Sequence, residues 1–530
     1  MFPEVLIVGA GPTGLMLANQ LGRRGVRVTI IDRHGGPAQQ TRAMAVQART
    51  LEIYSKLGIA EQALELGART RGANLWAQGK RTARIPLGEI GQSLSPFPFV
   101  LMLGQDDNER IMGERLNDWN VAVQWNTELV AIAQHADHVV ATLKQPDGSM
   151  RDIAAAWVAG CDGARSPVRE LSGITFPGAP YEHVFFVADT VAKGDMVPNE
   201  LNVYLWEEGF HLFFPMRGKD RWRVIGILAP ALRNRDDLRF DEVVPFLRED
   251  AGETLSFESC SWLSTYRIHH RCASQFRERR CFLLGDAAHV HSPMGGQGMN
   301  TGLQDAYNLA WKLALVVKGQ AGEGLLDSYE AERMPVAQRL LGTTDRAFML
   351  VVGDNWFARL FRTQILARIA AFAMSRDRIR RLAFRTISQI GIRYRDSRLS
   401  QAAADLPDGA PQAGDRFPWL QVRLREKGPV EDLFDKLDDT RFNLLLIGLP
   451  AAAAPADSGL LNTLNILADP ANDKALAQLS APSFYLLRPD GHIALCGKRF
   501  DAAVLTRYFS ARDVRVDAPS APDIPQRNSD

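Results

Sequence analysis

Glycines 9, 11 and 14 and the aspartate at position 32 are the first residues whose types and spacing could do chemistry. A Gly-x-Gly-x-x-Gly turn between an apolar run and a helix closes tightly, lets the backbone approach a pyrophosphate and lets helix pack on strand. Asp32 follows Gly14 by 18 residues, the reach needed to accept hydrogen bonds from an adenosine ribose. Its charge repels a 2′-phosphate, so NADP at this turn is disfavoured and FAD or NAD remain. Two later apolar runs also end in a Gly/Asp pair, Asp162-Gly163 and Gly285-Asp286. Open α/β sheets bind ligands at the carboxyl ends of their strands. The two aspartates, far apart in sequence, are therefore placed to converge on one extended ligand. Gly295, Gly296 and Gly298 then lead into a helix. The first N–H groups and dipole of such a helix suit an anion, or a ring that becomes anionic when reduced.

The elements that must hold these residues are legible around them. Val5 to Val8 reads as a buried strand, Leu15 to Arg24 as a helix and Val26 to Ile31 as a second strand, one complete βαβ unit. Cys281 to Leu284 reads as another buried strand. The helix from about Thr301 carries Leu303, Ala306, Leu309, Ala310 and Leu313 at helical spacing. A helix is expected from about Ala45 to Leu57, another after Gln105, and one starting near Ser166, Pro167 and Arg169. From about Tyr181 to Tyr266 the pattern alternates, as in antiparallel strands, with Tyr204 and Trp206 on one face and Val203 and Leu205 on the other. Such an aromatic-rich sheet makes a wall for an apolar planar ligand. Helices are expected from about Leu325 to Tyr394. A Pro/Gly/Ala-rich linker spans Gln401–Trp419, a small α/β domain follows to about Asp513, and the last residues read as disordered.

Composition narrows the function classes. The chain has 530 residues, net charge +1 and a pI near 7.7, so nothing argues for a nucleic-acid partner. Its five cysteines, Cys161, Cys260, Cys272, Cys281 and Cys496, form no CxxC pair. That disfavours a disulfide framework and a zinc site and fits a reducing cytoplasm. No metal-ligand cluster is visible. No apolar stretch reaches the roughly 20 residues of a membrane span; Phe348 to Met374 is interrupted by Asp354, Asn355, Arg359, Arg362 and Arg368 and reads as packing helices.

Together, GAGPTG with Asp32, GCDGARSPVR and FLLGDAAHVHSPMGGQGMNTGLQDAYNLAWKL resemble the FAD-dependent aromatic hydroxylases, the group A flavoprotein monooxygenases, over roughly Val5 to Tyr394. The length resembles the phenol, pentachlorophenol and hydroxyphenylpropionate hydroxylase branch, whose C-terminal domain is thioredoxin-like without redox cysteines; the single Cys496 agrees. The implied α/β architecture is a Rossmann-type FAD-binding domain at 1–175 and 276–345 with an inserted antiparallel-sheet substrate domain at 176–275. A helical region (346–400), the thioredoxin-like domain (401–516) and a disordered tail (517–530) follow.

The resemblance also implies roles. Gly9, Gly11, Thr13 and Gly14 would hold the FAD pyrophosphate, Asp32 and Arg33 the adenosine end, and Arg42 and Gln105 the FAD chain. Asp286 would bind the ribityl hydroxyls, and Pro293 with the backbone of Gly298, Met299 and Asn300 would line the isoalloxazine. Asp162 and Arg169 belong to a motif associated with FAD and the nicotinamide cofactor. NADPH or NADH would be a transient co-substrate, and O₂ would be activated as a C4a-hydroperoxyflavin that hydroxylates a small aromatic, phenolic substrate. Tyr204, His211 and Arg223 are the candidates to face the reacting ring, while His289 is expected to shape the loop. Homodimers are common among proteins of this kind. A polycyclic aromatic substrate, a halogenase or dehydrogenase on the same fold, and an FAD-binding protein without turnover are the alternatives; no WxWxIP-type halogenase signature is present.

Overall fold

Val5–Val8 occupies an inner position of a six-stranded sheet in a computed structural model of the chain. The structure describes residues 3–38, 43–86, 91–206, 209–233, 235, 237–291, 296–352, 376–402, 405–450, 455 and 457–516. The sheet order is Arg277–Glu278, Cys281–Leu283, Trp157–Gly160, Val5–Val8, Val28–Ile31, Val123–Gln124. Every pair is parallel except the hairpin at the Arg277–Glu278 edge. Val5–Val8, Trp157–Gly160 and Cys281–Leu283 are buried along their whole length, which is why they are continuous apolar runs rather than alternating ones. The chain leaves Val5–Val8 through the helix Pro12–Gly22 to the strand on one side, and the strand on the other side arrives more than a hundred residues later. This reversal opens a crevice at the carboxyl ends. The helix begins at Pro12, earlier than expected, because proline is pre-organised for the first helical position.

A second, eight-stranded sheet stands over that crevice. Its order is His289–Val290, Ser256–Cys272, Gly178–Lys193, Arg221–Ile227, Gly209–Pro215, Leu201–Trp206, Ala73–Ala77, Lys80–Ile85. Its middle is the expected antiparallel insert. Its edges come from elsewhere: Ala73–Ala77 pairs in parallel with Leu201–Trp206, and His289–Val290 pairs with Arg271 and Cys272. Residues 73–85, expected in the cofactor domain, thus extend the wall. The helix Phe240–Ala251 covers one face, burying Val243, Leu247 and Ala251 against Phe186, Tyr204, Phe213 and Val224.

After the helix Asp327–Val352 and the helix Asp377–Ile387 comes a five-stranded mixed sheet, ordered Gln401–Ala402, Ile493–Gly497, Ser483–Leu487, Phe442–Ile447, Leu461–Ile466. The expected RPDGHIALCG hairpin is the turn between two of these strands. The expected tail and most of the Phe348–Met374 segment lie outside the described residues.

Candidate active site

Each fingerprint glycine has a physical reason that the structure makes visible. Gly9 has a φ of +103°, and a Cβ there would overlap the carbonyl of Cys161 on the neighbouring strand. A Cβ at Gly14 would overlap the carbonyl oxygen of Gly9. Gly11 differs: nothing lies within 4 Å of where its Cβ would be, so its backbone faces open space at the crevice. Thr13 is hemmed in by Gly285 and Gly302, either of which would clash with it if it carried a Cβ. It is the point where the fingerprint helix, the Gly285-Asp286 turn and the helix Gly298–Val317 meet.

Asp32 is drawn into the same turn. Its Oδ2 accepts the Ala10 N–H at 2.7 Å, and its Oδ1 accepts the His34 N–H at 2.8 Å with the His34 ring beside it at 2.7 Å. The carboxylate fixes the glycine turn from the adjacent strand end, and Arg33 next to it is exposed.

The two other aspartates stand at the ends of the next strands. Asp162 Oδ2 accepts the Val168 N–H at 3.0 Å, while its Oδ1 is buried without a hydrogen-bond partner among the described residues. Burial pushes its carboxyl up to about 6. Arg169 donates to the carbonyls of Ala287 at 2.9 Å and Ala164 at 2.8 Å and lies over the Phe176 ring. It therefore ties the Asp162 loop to the turn after Asp286. Asp286 is exposed, whereas its neighbours from Cys281 to His289 are all buried; the fold singles out this one carboxylate for contact with something outside the core.

The helix Gly298–Val317 starts with no side-chain cap among the described residues, so its first amides point outward. Asn300 does not reach a ligand with its side chain. Its Oδ1 accepts from Gln47 N at 2.9 Å and Thr50 Oγ1 at 2.7 Å, and its Nδ2 donates to the carbonyls of Ala45 at 2.7 Å and Gly296 at 2.8 Å. It clamps the loop, leaving backbone at Gly298 and half-buried Met299 on the open side. Gln105 donates to Glu109 at 2.8 Å, and Glu109 accepts the Ala38 N–H at 2.7 Å. Arg42 and Pro293, along with Gly295, lie outside the described residues.

One residue missed in the sequence organises the motif from beneath. Asp305, fully buried, accepts the Gly285 N–H at 3.0 Å, faces His289 Nε2 at 2.7 Å and accepts from Arg333 Nε at 2.6 Å. Burial alone would raise its carboxyl, and the Arg333 and His289 charges together hold it below the usual range. The signal was present as an acid and Lys312 inside a helix that is buried nearly around its whole circumference.

The three wall candidates do not share a face. Register puts Tyr204 opposite His211 and His211 opposite Gly226, on the side covered by Phe240–Ala251. Tyr204 stacks on Trp76, and its hydroxyl is buried without a hydrogen-bond partner among the described residues. His211 stacks on Trp206 and its Nε2 lies 2.8 Å from Asp250 on the covering helix. Both are turned away from the crevice, a correction that follows from which face the helix covers. Arg223 is on the other face, opposite Phe214, bonded twice to Asp189 at 2.6 Å and lying over Trp262. That face carries half-buried Val203, Leu212, Phe214 and Tyr266. Phe214 packs against Met44, Ala45, Val100 and Met102, and Ala45 is the residue clamped by Asn300. The apolar face that looks onto the crevice is therefore the Leu212 face.

The residues present fit FAD. An open backbone at Gly11, two helix starts aimed at the crevice, an Asp162 oxygen with no hydrogen-bond partner among the described residues and an exposed Asp286 lie along three adjacent strand ends.

Comparison with known proteins agrees. The FAD binding domain family matches residues 3–344. The 6-methylpretetramide 4-monooxygenase of Streptomyces rimosus is 34% identical over 98% of this chain and 96% of that protein. The pentachlorophenol 4-monooxygenase of Sphingobium chlorophenolicum is 31% identical over 83% and 79%. The structure of aklavinone-11 hydroxylase with FAD and aklavinone superposes with a TM-score of 0.80 at 27% identity, covering 97% of this chain and 99% of that one. The chain belongs to the FAD binding domain family, among its FAD-dependent aromatic monooxygenases.

Proposed function

We propose that this chain hydroxylates a phenolic ring held between the Gly298 end of the motif helix and the Leu212 face of the wall sheet. The observation that carries the reading is the delivery of Gly9, Asp162 and Asp286 to one crevice by three adjacent strands, roofed by the sheet face opposite the helix Phe240–Ala251. When bound, FAD supplies hydride uptake from NAD(P)H and activation of O₂. The chain's own residues do the rest. The backbone at Gly11 and the Pro12 helix start receive the pyrophosphate, and Asp286 accepts from ribityl hydroxyls. The Gly298 helix start favours negative charge on the reduced ring. Val203, Leu212, Phe214 and Ile225 exclude water from the reacting face. Arg223, buried and bonded twice to Asp189, serves to fix that face rather than as a base.

A second reading, a polycyclic phenol as substrate, is favoured by the near full-length similarity to 6-methylpretetramide 4-monooxygenase. The C-terminal sheet acts as a thioredoxin-like support without dithiol chemistry, since Cys496 is the only cysteine in it. A homodimer in the cytoplasm completes the proposal, with the domain limits given above except that residues 73–85 belong to the wall sheet.

The test is NAD(P)H oxidation by the flavin-loaded protein with and without a panel of monocyclic and polycyclic phenols, following O₂ uptake, hydroxylated product and peroxide together. Stimulation with stoichiometric product is expected. NAD(P)H oxidation that no aromatic accelerates would contradict the proposal.

A further inference from the structure

The turn that presents Asp286 is connected to the C-terminal domain by a continuous chain of buried polar and ring contacts. It starts at the hairpin turn 488–492. Arg488 donates to Glu332 at 2.5 and 3.0 Å and to Asp490 at 3.0 Å, and Asp490 accepts from Trp311 Nε1 at 3.2 Å and faces His492 Nδ1 at 3.3 Å. Lys312, on the motif helix, reaches the same Glu332 at 2.7 Å. His492 and Arg488 both pack on the ring of Tyr394, at 4.3 and 5.2 Å. The Tyr394 hydroxyl accepts from Arg333 Nη1 at 2.8 Å, and Arg333 Nε donates to Asp305. Asp305 then holds the Gly285 N–H and His289 on either side of Asp286. Arg333, Asp305, Lys312, Glu332 and Arg488 have no side-chain exposure, so water cannot substitute for a lost partner, and each contact fixes the next.

We propose that Arg333 and Tyr394 are positioning residues for the flavin site, through which the C-terminal hairpin sets the Gly285-Asp286 turn against the cofactor. This rests on the reading that Asp286 contacts FAD. Arg333 orients the Asp305 carboxylate, Asp305 orients the Gly285 amide, and Tyr394 holds Arg333 from the C-terminal side. None of the three touches the ring or the substrate. The C-terminal domain thereby serves the reaction without a reactive group of its own.

The test uses the full chain with Tyr394→Phe, which removes one hydroxyl and keeps the ring between Arg488 and His492, and with Arg333→Lys, which keeps the charge toward Asp305 but gives up the fork. In the apo protein, amide exchange of the peptide covering 281–290 is expected to accelerate in both variants while that covering 5–11 is unchanged. FAD affinity is expected to fall about three- to tenfold, the scale of one net hydrogen bond, with a shift in the reduction potential of the bound flavin. The double variant is expected to lose no more than the larger single loss, because both act on one chain of contacts. Unchanged exchange at 281–290, an unchanged flavin potential with only a lower melting temperature, or additive losses would overturn the proposal. A wild-type chain that binds no FAD would overturn the underlying reading of the site, and this proposal with it.

Discussion

In the strand-end crevice, three parallel strands buried on both faces deliver Gly9, Asp162 and Asp286 to a single edge, and the ligand-facing atoms are backbone amides and a few carboxylates. In the wall sheet each strand has two faces, and the helix Phe240–Ala251 decides which of them is left for a ligand. The crevice tolerates almost no side-chain volume, since Gly9 and Gly14 are closed in by backbone. The open face of the wall is the opposite case, where Leu212 and its neighbours are half-buried and volume can change. On the proposed reading, cofactor binding rests mainly on backbone geometry and substrate fit on side-chain choice.

That contrast can be broken most sharply at the glycines. Gly14→Ala is expected to prevent a stable cofactor domain, a loss above about 4 kcal/mol from direct backbone overlap. Gly11→Ala should leave the apo melting temperature unchanged yet lower FAD affinity at least about tenfold by filling the space a pyrophosphate needs. Thermal unfolding and FAD titration of both variants separate the two. Equal behaviour would mean the crevice is not open at Gly11.

On the wall, Arg223→Met leaves Asp189 without its partner and is expected to cost about 3–5 kcal/mol, much of it regained when Asp189→Asn is added. Denaturant unfolding of the single and double variants measures this. An additive second loss would mean that the pair is not the reason Arg223 is buried. In the crevice, Asp286→Ala should fold normally and weaken FAD binding by about 1–3 kcal/mol, and undiminished flavin retention would remove Asp286 from the site.

Asp162 gives the crevice a pH signature. Burial lifts its carboxyl to about 6, above the unfolded value near 3.9. The folded chain therefore holds a proton that the unfolded chain has released, so this group's stabilising contribution is full below about pH 4 and lost as pH rises from 4 through 6. Asp162→Asn is expected to raise the apo melting temperature at pH 7.5, with the gain shrinking as pH falls toward 4; a gain independent of pH would contradict the assignment. The smallest effects belong to the covered face of the wall. Tyr204→Phe removes a hydroxyl that has no hydrogen-bond partner among the described residues and should change stability by no more than about 1 kcal/mol, with the aromatic KM untouched. Leu212→Ala, on the open face, should raise that KM. A KM change in the Tyr204 variant alone would reverse the assignment of faces.

The crevice was readable in the sequence because its requirements are local. A glycine that must avoid a carbonyl, or an acid that must end a strand, leaves a mark at a fixed spacing, and Gly9, Gly14, Asp162 and Asp286 all stand where that spacing puts them. The alternation of Tyr204 and Trp206 against Val203 and Leu205 was equally readable. Which side faces the ligand was not, because Val243 and Leu247 on a helix some forty residues later decide it. Long-range pairing hid two other features. Residues 73–85 join the wall through a parallel partner near residue 203, and Asp305 depends on an arginine 28 positions away and a tyrosine beyond it.

The most direct measurement is a crystal structure of the flavin-loaded protein with a bound phenolic ligand. The pyrophosphate is expected at Gly11, the ribityl chain at Asp286 and the aromatic ring against Leu212, Phe214 and Ile225. A ring seated on the Tyr204 and His211 side of the sheet, or FAD held away from Gly11 and Asp286, would contradict that placement.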